Sequence, residues 1–270
     1  MARHNIKLHA QALAAAFQFL TRLPIPVQVP FEGPVLTRSV IYFPLAGAFI
    51  GISLTAGALL LNLAVPVWPS AVLLLVLWTA LSGGLHMDGW MDTADGVLSH
   101  RSRERMLEIM KDSRVGAMGV LAAVLLLMLK ASLLAELMSG SKSGIWLAAL
   151  TICPVWSRAW MTAAIACWPS ARQGEGIGVL FNGVKGINVF WALLVSSACT
   201  WCVLWIVGMS IAFILVLLPV ILLVTVCCGG LLAAWLNRKL GGLTGDTYGA
   251  MNEAVEASLL LAAVIWLNVL

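Results

Sequence analysis

The chain has 270 residues, of which 61% are hydrophobic and only 10% charged, with a mean hydropathy of +0.98. Soluble globular domains run nearer to about 45–50% apolar and about 25% charged, so a water-soluble domain is excluded and the chain reads as a polytopic membrane protein. The net charge of +4 implies no nucleic-acid partner, because in a membrane protein the placement of basic residues matters more than their sum.

The opening stretch, MARHNIKLHAQALAAAFQFLTRLPIPVQVP, lacks a short apolar core followed by a small-residue cleavage site, so the N-terminus is expected to be retained. Residues 9–20 are apolar but too short to cross a bilayer. They are expected to lie along the interface, ended by Pro24 and Pro26. A spanning helix needs about 20 mostly apolar residues. Such runs occur at roughly 40–63, 70–86, 117–138, 145–168, 188–206, 211–235 and 254–270, the second and last being short. The expected architecture is an all-α transmembrane bundle of about seven spans plus an N-terminal interfacial helix. It is expected to form a single integral membrane domain over residues 1–270, with 1–39 as its cytoplasmic or interfacial N-terminal segment. No internal repeat and no matching pair of broken helices is present, so the pattern of an inverted-repeat transporter is missing.

Thirteen of the sixteen Lys and Arg residues fall in the segment 1–39 or in the connections 87–116, 169–187 and 236–252. The alternate connections, 64–69, 139–144 and 207–210, carry only Lys142. Basic connections face the cytoplasm, which predicts a multi-pass protein of the inner (cytoplasmic) membrane with its N-terminus and all its long connections on the cytoplasmic side. Lys130 and Arg158 are left inside helices, and Lys130 with Glu136 near the far end of one span suits snorkelling. The six cysteines all lie in apolar runs; Cys199-x2-Cys202 reads as buried thiols, since no His or second Cys pair accompanies it. Tryptophans such as Trp68, Trp146 and Trp168 sit near span ends as an interfacial belt.

Against this apolar background, LHMDGWMDTADG (Leu85 to Gly96) places Asp88, Asp92 and Asp95 at the mouth of a span. If the segment is helical, their i, i+4, i+7 spacing puts three carboxylates on one face. Like charges so spaced repel, and a divalent cation would offset this; hard oxygen ligands suit Mg²⁺ or Mn²⁺. Because Mg²⁺ is usually held by one or two carboxylates plus substrate phosphates, the cluster predicts a phosphorylated substrate. The plain alternative is a solvated acidic helix end. His86 reads either as a ligand or base of this cluster or as a helix-end histidine satisfied by a backbone carbonyl. Downstream, RSRERMLEIMKDSRVGAMG supplies Arg101, Arg103 and Arg105, then Lys111, Asp112 and Arg114. Some of these charges pair along a helix with Glu104 and Glu108. Lys111, Asp112 and Arg114 crowd before Gly116, where cations beside a metal-binding face would suit a diphosphate.

KLGGLTGDTYGAMNEAVE (Lys239 to Glu256) is the second polar stretch and falls on the same predicted face. Gly241, Gly242, Gly245 and Gly249 would free backbone N–H groups to cradle anionic oxygens. Asp246 and Glu253 are two helical turns apart, so both can face one way, and Thr244 and Thr247 add hydroxyls. Meeting the first stretch across the bundle, they would form a two-metal or metal-plus-base site. Glu256, inside the last span, is expected to face the bundle interior, as a functional group or paired with Arg158. The loop Ser170 to Gly183, Gly-rich with Arg172, is a further candidate contact for a phosphate or large ligand.

GGLHMDGWMDTADG followed by RMLEIMKDSRVGAMG resembles the cobalamin synthase (adenosylcobinamide-GDP ribazoletransferase) family. FQFLTRLPIP, YFPLAGAFIG and GGLTGDTYGAMNE match its pattern in the same order, so the resemblance runs from about residue 17 to 256. In that family the first motif more often reads DGLADTADG; Trp90 and Met91 depart from it, and Tyr248 stands where an aliphatic residue is usual. The resemblance implies a Mg²⁺-dependent transferase. A ribose hydroxyl of α-ribazole, or of its 5′-phosphate, attacks the cobinamide-side phosphorus of adenosylcobinamide-GDP, releasing GMP and closing the nucleotide loop of the vitamin. It implies Asp88, Asp92, Asp95 and Asp246 as metal ligands, and Glu253 or Asp95 as acceptor of the hydroxyl proton. Arg105, Lys111, Asp112 and Arg114, with Gly245 and Thr247, would contact substrate, Lys111 and Arg114 holding the GDP phosphates. The partners it implies are these two substrates, the bilayer, and a second copy or other cobalamin-pathway enzymes.

Two other readings fit parts of the chain. A CDP-alcohol phosphotransferase-like enzyme also uses acids at a membrane mouth, but Asp88-Gly89 is followed by Trp90, Met91, Asp92 and Thr93 rather than by that family's Ala-Arg. A cation or corrinoid transporter would line a midplane path with ionisable groups, whereas most acids here gather at one face.

Overall fold

The computed structural model describes residues 2–140, 144–172, 176 and 180–269. Lys142 and the greater part of the Gly-rich loop that follows Arg172 lie outside the described residues. Helix α1 is Ala2–Leu20. Helix α2, Gly33–Ser39, starts on Pro34, whose fixed φ suits a first helical turn, and runs through a 3₁₀ turn at Val40–Tyr42 into α3, Phe43–Leu61. Next come α4, Val67–Ser82, α5, Leu85–Val97, α6, Arg103–Ile109, and α7, Ala117–Gly140. Then follow α8, Ile145–Cys167, α9, Gly186–Ile206, α10, Ile211–Leu240, and α11, Gly245–Val269. Among the described residues there is no strand, only one isolated parallel bridge between Ser170 and Leu243. The protein is an all-α polytopic membrane bundle.

Among the described residues, five helical segments are long and apolar enough to cross a membrane: Gly33–Leu61, Ala117–Ser139, Gly186–Ile206, Ile211–Leu240 and Gly245–Val269. A sixth arises if α4 and α5, bent by 92° at their junction, count as one. The seventh run expected from sequence, 145–168, does form α8, but Pro154, Ser157, Arg158 and its threonines lower its hydropathy. The reason is its position. It is the inner helix, wrapped by α3, α9, α10 and α11, with Trp156 and Arg158 fully buried. Close approach by α3 depends on Gly47 and Gly51, where a Cβ would collide with the backbone at Pro154 and Thr151. Outward faces of α7 and α10 carry exposed Leu125, Met128, Leu223 and Leu231, as a lipid-facing surface requires.

The α4–α5 bend sets the site. Gly83 and Gly84 both take positive φ, +67° and +72°, a conformation that side chains disfavour. The chain after Ser82 therefore turns off the membrane arm, and α5 runs across the end of the bundle. Arg22 locks the corner: its N–H donates to the Leu81 carbonyl at 2.8 Å and its side chain lies on Gly83. Helix α1 begins before the expected 9–20 segment and packs on its neighbours. It buries Ala12, Ala15, Ala16 and Leu20 against α2 and α3.

Candidate functional site

Helices α5 and α11 meet through glycines. The main chain of Asp246 sits on Gly89, so close that a Cβ there would lie 2.5 Å from the Asp246 carbonyl oxygen. Gly249 presses in the same way on the backbone of His86. Gly89 lies between Asp88 and Asp92 on α5, so the contact brings Asp246 to both. Burial, and then the charges of Asp88, Asp246 and Asp95, push the Asp92 carboxyl up to about 7. The two acid-bearing stretches thus converge at one end of the bundle.

A basic group joins them from a third segment. Leu243 donates to the Pro169 carbonyl and accepts from the N–H of Ala171, both at 2.8 Å. Gly242 rests on the Ser170–Ala171 backbone where a Cβ would not fit. This pins Arg172 over the start of α11, where its Nη2 donates to Asp246 Oδ2 at 3.1 Å. A lone arginine in a Gly-rich loop was the available sequence signal for this; its pairing with Asp246 was not visible there.

Other sequence candidates turn out to be engaged elsewhere. Both oxygens of Asp95 accept backbone N–H groups, Gly116 and Gly119 at 2.7 Å each. Asp95 therefore caps the N-terminus of α7, which otherwise leaves its first amides unpaired. Thr247 and Thr244 form a reciprocal cap on α11: Thr244 N–H donates to Thr247 Oγ1 at 2.8 Å and Thr247 N–H to Thr244 Oγ1 at 3.2 Å. The Thr247 hydroxyl also donates to the Thr244 carbonyl, so it faces its own helix end rather than a ligand. Of the expected glycine cradle, Gly245 and Gly249 belong to α11, while Gly241 and Gly242 lie in the turn before it with positive φ. Arg105 pairs with Glu108 at 2.7 Å on an exposed surface. Arg114 and Asp112 pair with each other at 2.6 Å, which holds the Asp112 carboxyl down to about 2. Lys111 is exposed on the turn after α6.

Glu253, an expected proton acceptor, lies two turns inside the bundle. Lys130 Nζ donates to Glu253 at 2.8 Å and to Glu256 at 2.7 Å, and stands 4.1 Å from the centre of the Trp78 ring. Arg158 pairs with Glu256 from the other side. Two cations and two anions so neutralise one another away from water. Lys130 is buried rather than snorkelling, because the carboxylates that need it are on α11 and not at the interface; Glu256 pairs with Arg158, one of its two expected roles.

Beside the acids is a cleft of about 630 Å³, counting its open mouth, lined by Phe19, Leu85, Met161, Ile165, Phe181 and Tyr248. Asp88, Asp246 and His86 also line it. Among the described residues no three His, Cys, Asp or Glu side chains are arranged as a metal cage. Of the four expected aspartates, Asp88, Asp92 and Asp246 lie together, and Asp95, close enough to act on Asp92, accepts from the α7 amides.

Fold and site together define a polytopic membrane protein with a carboxylate–arginine centre and an aromatic cleft at one end of its bundle. The chain belongs to the cobalamin-5-phosphate synthase family, whose model matches residues 12–264. Adenosylcobinamide-GDP ribazoletransferase of Brevibacillus brevis is 40% identical to it over 262 residues, covering 94% of this chain and 97% of that protein. The transferase of the same name from Roseiflexus sp. is 40% identical over 259 residues, 93% of this chain and 90% of that one. That from Thermoanaerobacter pseudethanolicus is 36% identical over 257 residues, 93% and 96% respectively. No solved structure matches the chain.

Proposed function

We propose that this chain assembles the nucleotide loop of cobalamin: it joins adenosylcobinamide-GDP to α-ribazole, or to α-ribazole 5′-phosphate, in a Mg²⁺-dependent reaction that releases GMP. A ribose hydroxyl oxygen forms a bond to the cobinamide-side phosphorus. The phosphorus–oxygen bond to the GMP phosphate breaks, and the hydroxyl proton passes to a carboxylate. The products are GMP and adenosylcobalamin or its 5′-phosphate. The observation that carries the reading is the convergence of Asp88, Asp92, Asp246 and Arg172 from three segments beside one cleft.

The donor set fits Mg²⁺. It is all oxygen, and Asp92 is pushed up to about 7 by burial and then by neighbouring carboxylates, whose repulsion a cation would relieve. Mg²⁺ commonly takes only one or two carboxylates, with phosphates completing its shell, so a closed protein cage is not required. Asp92 and Asp246 are the residues to hold it; bound there, it supplies charge neutralisation of the diphosphate. Arg172, already directed at Asp246, is placed to bind phosphate oxygens. Asp88, exposed and lining the cleft, takes the hydroxyl proton, since Glu253 is tied to Lys130 and Asp95 to the α7 amides. Basic connections at this end support a site on the cytoplasmic face of the inner membrane.

The test is purified protein in detergent with adenosylcobinamide-GDP and α-ribazole, with and without Mg²⁺, reading GMP and the joined corrinoid. The expected result is GMP formed one-for-one with the joined product and only when the metal is present. GMP formed without ribazole, or no GMP at all, overturns the reading. A transport role gains nothing from the four buried charges, which cancel in pairs between α7, α8 and α11.

A further inference from the structure

His86 lines the cleft and is 1% exposed. Two groups approach its Nδ1: Arg158 Nη2 at 3.3 Å and Asn252 Nδ2 at 3.0 Å. A guanidinium can only donate. The Asn252 amide nitrogen also faces a Glu256 oxygen at 3.2 Å, which fixes it as the donor end. Nδ1 must therefore accept, and the ring proton sits on Nε2. That nitrogen is buried and has no hydrogen-bond partner in the protein. A buried donor without a partner is costly, and this one belongs to a side chain on the lining of the cleft.

The chemistry of the cleft is therefore narrow. It has aromatic walls from Phe19, Phe181 and Tyr248, the last with a hydroxyl, the buried imidazole of His86 on its lining, and carboxylates at Asp88 and Asp246. A guanine would bring N–H donors whose only charged acceptors on the lining are Asp88 and Asp246, the carboxylates that the metal and the attacking hydroxyl need. A benzimidazole attached to ribose through one ring nitrogen has no donor and one in-plane acceptor, its second ring nitrogen.

Resting on the transferase reading above, we propose that this cleft holds the benzimidazole ring of the attacking nucleoside, with His86 Nε2–H donating to the free ring nitrogen. The ring stacks among Phe19, Phe181 and Tyr248, and its ribose is left at the Asp88 and Asp246 side, where the attacking hydroxyl is needed. His86 is a binding and positioning residue that neither gains nor loses a proton.

The test compares α-ribazole with its indole counterpart, in which the free ring nitrogen is replaced by C–H. Binding is read by titration calorimetry on the full chain in detergent, and transfer by GMP release. Wild-type protein is expected to bind the indole compound about 10- to 100-fold more weakly, the loss for leaving one buried donor unpaired, and to show a similar fall in kcat/KM. In a folded His86→Leu variant the two compounds are expected to bind alike. Equal binding by the wild type overturns the assignment, as does undiminished discrimination in that variant. If His86→Leu does not fold, because Arg158 and Asn252 lose their acceptor, the wild-type comparison decides alone. Equal binding with GMP release intact sinks the cleft assignment and leaves the transferase reading standing. Ribazole that binds with the expected discrimination but yields no GMP does the reverse.

Discussion

Removing Lys130 and Glu253 singly and together separates a structural carboxylate from a catalytic one. Side chains of Lys130, Glu253 and Glu256 are 3%, 8% and 0% exposed, so solvent does little to weaken their interaction. Lys130→Met leaves two buried carboxylates facing one guanidinium, and Glu253→Gln leaves two cations facing one carboxylate. Breaking a buried pair from one side costs about 3–5 kcal/mol, and each single variant should lose that much in thermal or denaturant unfolding in detergent. The double variant returns the network to neutrality with Arg158 and Glu256 still paired. Replacing both partners of a buried pair by neutral groups is commonly near neutral, so the double variant should regain most of the lost stability, a coupling of roughly 5 kcal/mol or more. Its GMP release should return with its stability, to within about tenfold of wild type. A double variant that unfolds like wild type but releases no GMP would show that Glu253 acts on substrate. A Glu253→Gln protein as stable as wild type would show that the ion network contributes nothing.

Three further substitutions probe the site itself. Gly89→Ala drives a methyl group into the Asp246 main chain. Overpacking of this kind costs about 1–3 kcal/mol, and a displacement of about 1 Å can cost about 100-fold in rate. Gly230→Ala, whose Cβ would meet only a Trp160 ring atom at 3.8 Å, should leave turnover unchanged; equal effects of the two would discount the helix contact. Asp92→Ala should abolish GMP release in a folded protein. Asp95→Ala should cost only about 0.5–2 kcal/mol of stability, as cap losses do, and keep most turnover; the reverse order would return Asp95 to the chemistry. Arg172→Ala should lower kcat/KM for the corrinoid-GDP substrate by about 10- to 150-fold, the range for a hydrogen bond to a charged group, with partial recovery in Arg172→Lys; an unchanged kcat/KM would remove Arg172 from phosphate binding.

Much of this was legible in the sequence because it follows one-dimensional periods. Apolar runs found most of the long helices, and the i, i+4, i+7 spacing placed Asp88, Asp92 and Asp95 along a helix that does form. The same spacing could not say that Asp95 is the cap of α7, because that depends on where Gly116 and Gly119 return in space. Hydropathy reads Lys130 as an awkward charge near a span end, and only the packing of α7 against α11 supplies its carboxylates. Arg158 lowers the hydropathy of α8 for a related reason: an inner helix can carry a charge that its neighbours neutralise, so it need not be apolar all round. The Gly-rich stretch after Lys239 looked like an anion cradle, but a glycine inside a helix serves close approach as readily as a turn, and Gly249 serves the former.

Helix α11 links these findings mechanically. Its first turn carries Asp246, held by the Thr244–Thr247 cap and met by Arg172. Two turns deeper, Asn252 and Glu256 reach His86, Lys130 and Arg158. The buried charge network therefore sets the depth and rotation of the same helix that presents Asp246 to α5, and it fixes the tautomer of the cleft histidine through Arg158 and Asn252. Four charges inside a membrane bundle are costly to keep, and a register device is the best-attested use of such groups. Here the register concerned is that of Asp246 against Gly89, with Asp88 and Asp92 on either side. A variant that neutralises the network yet lets α11 rotate would keep its fold and lose the convergence of the three aspartates, which is the arrangement the chemistry needs.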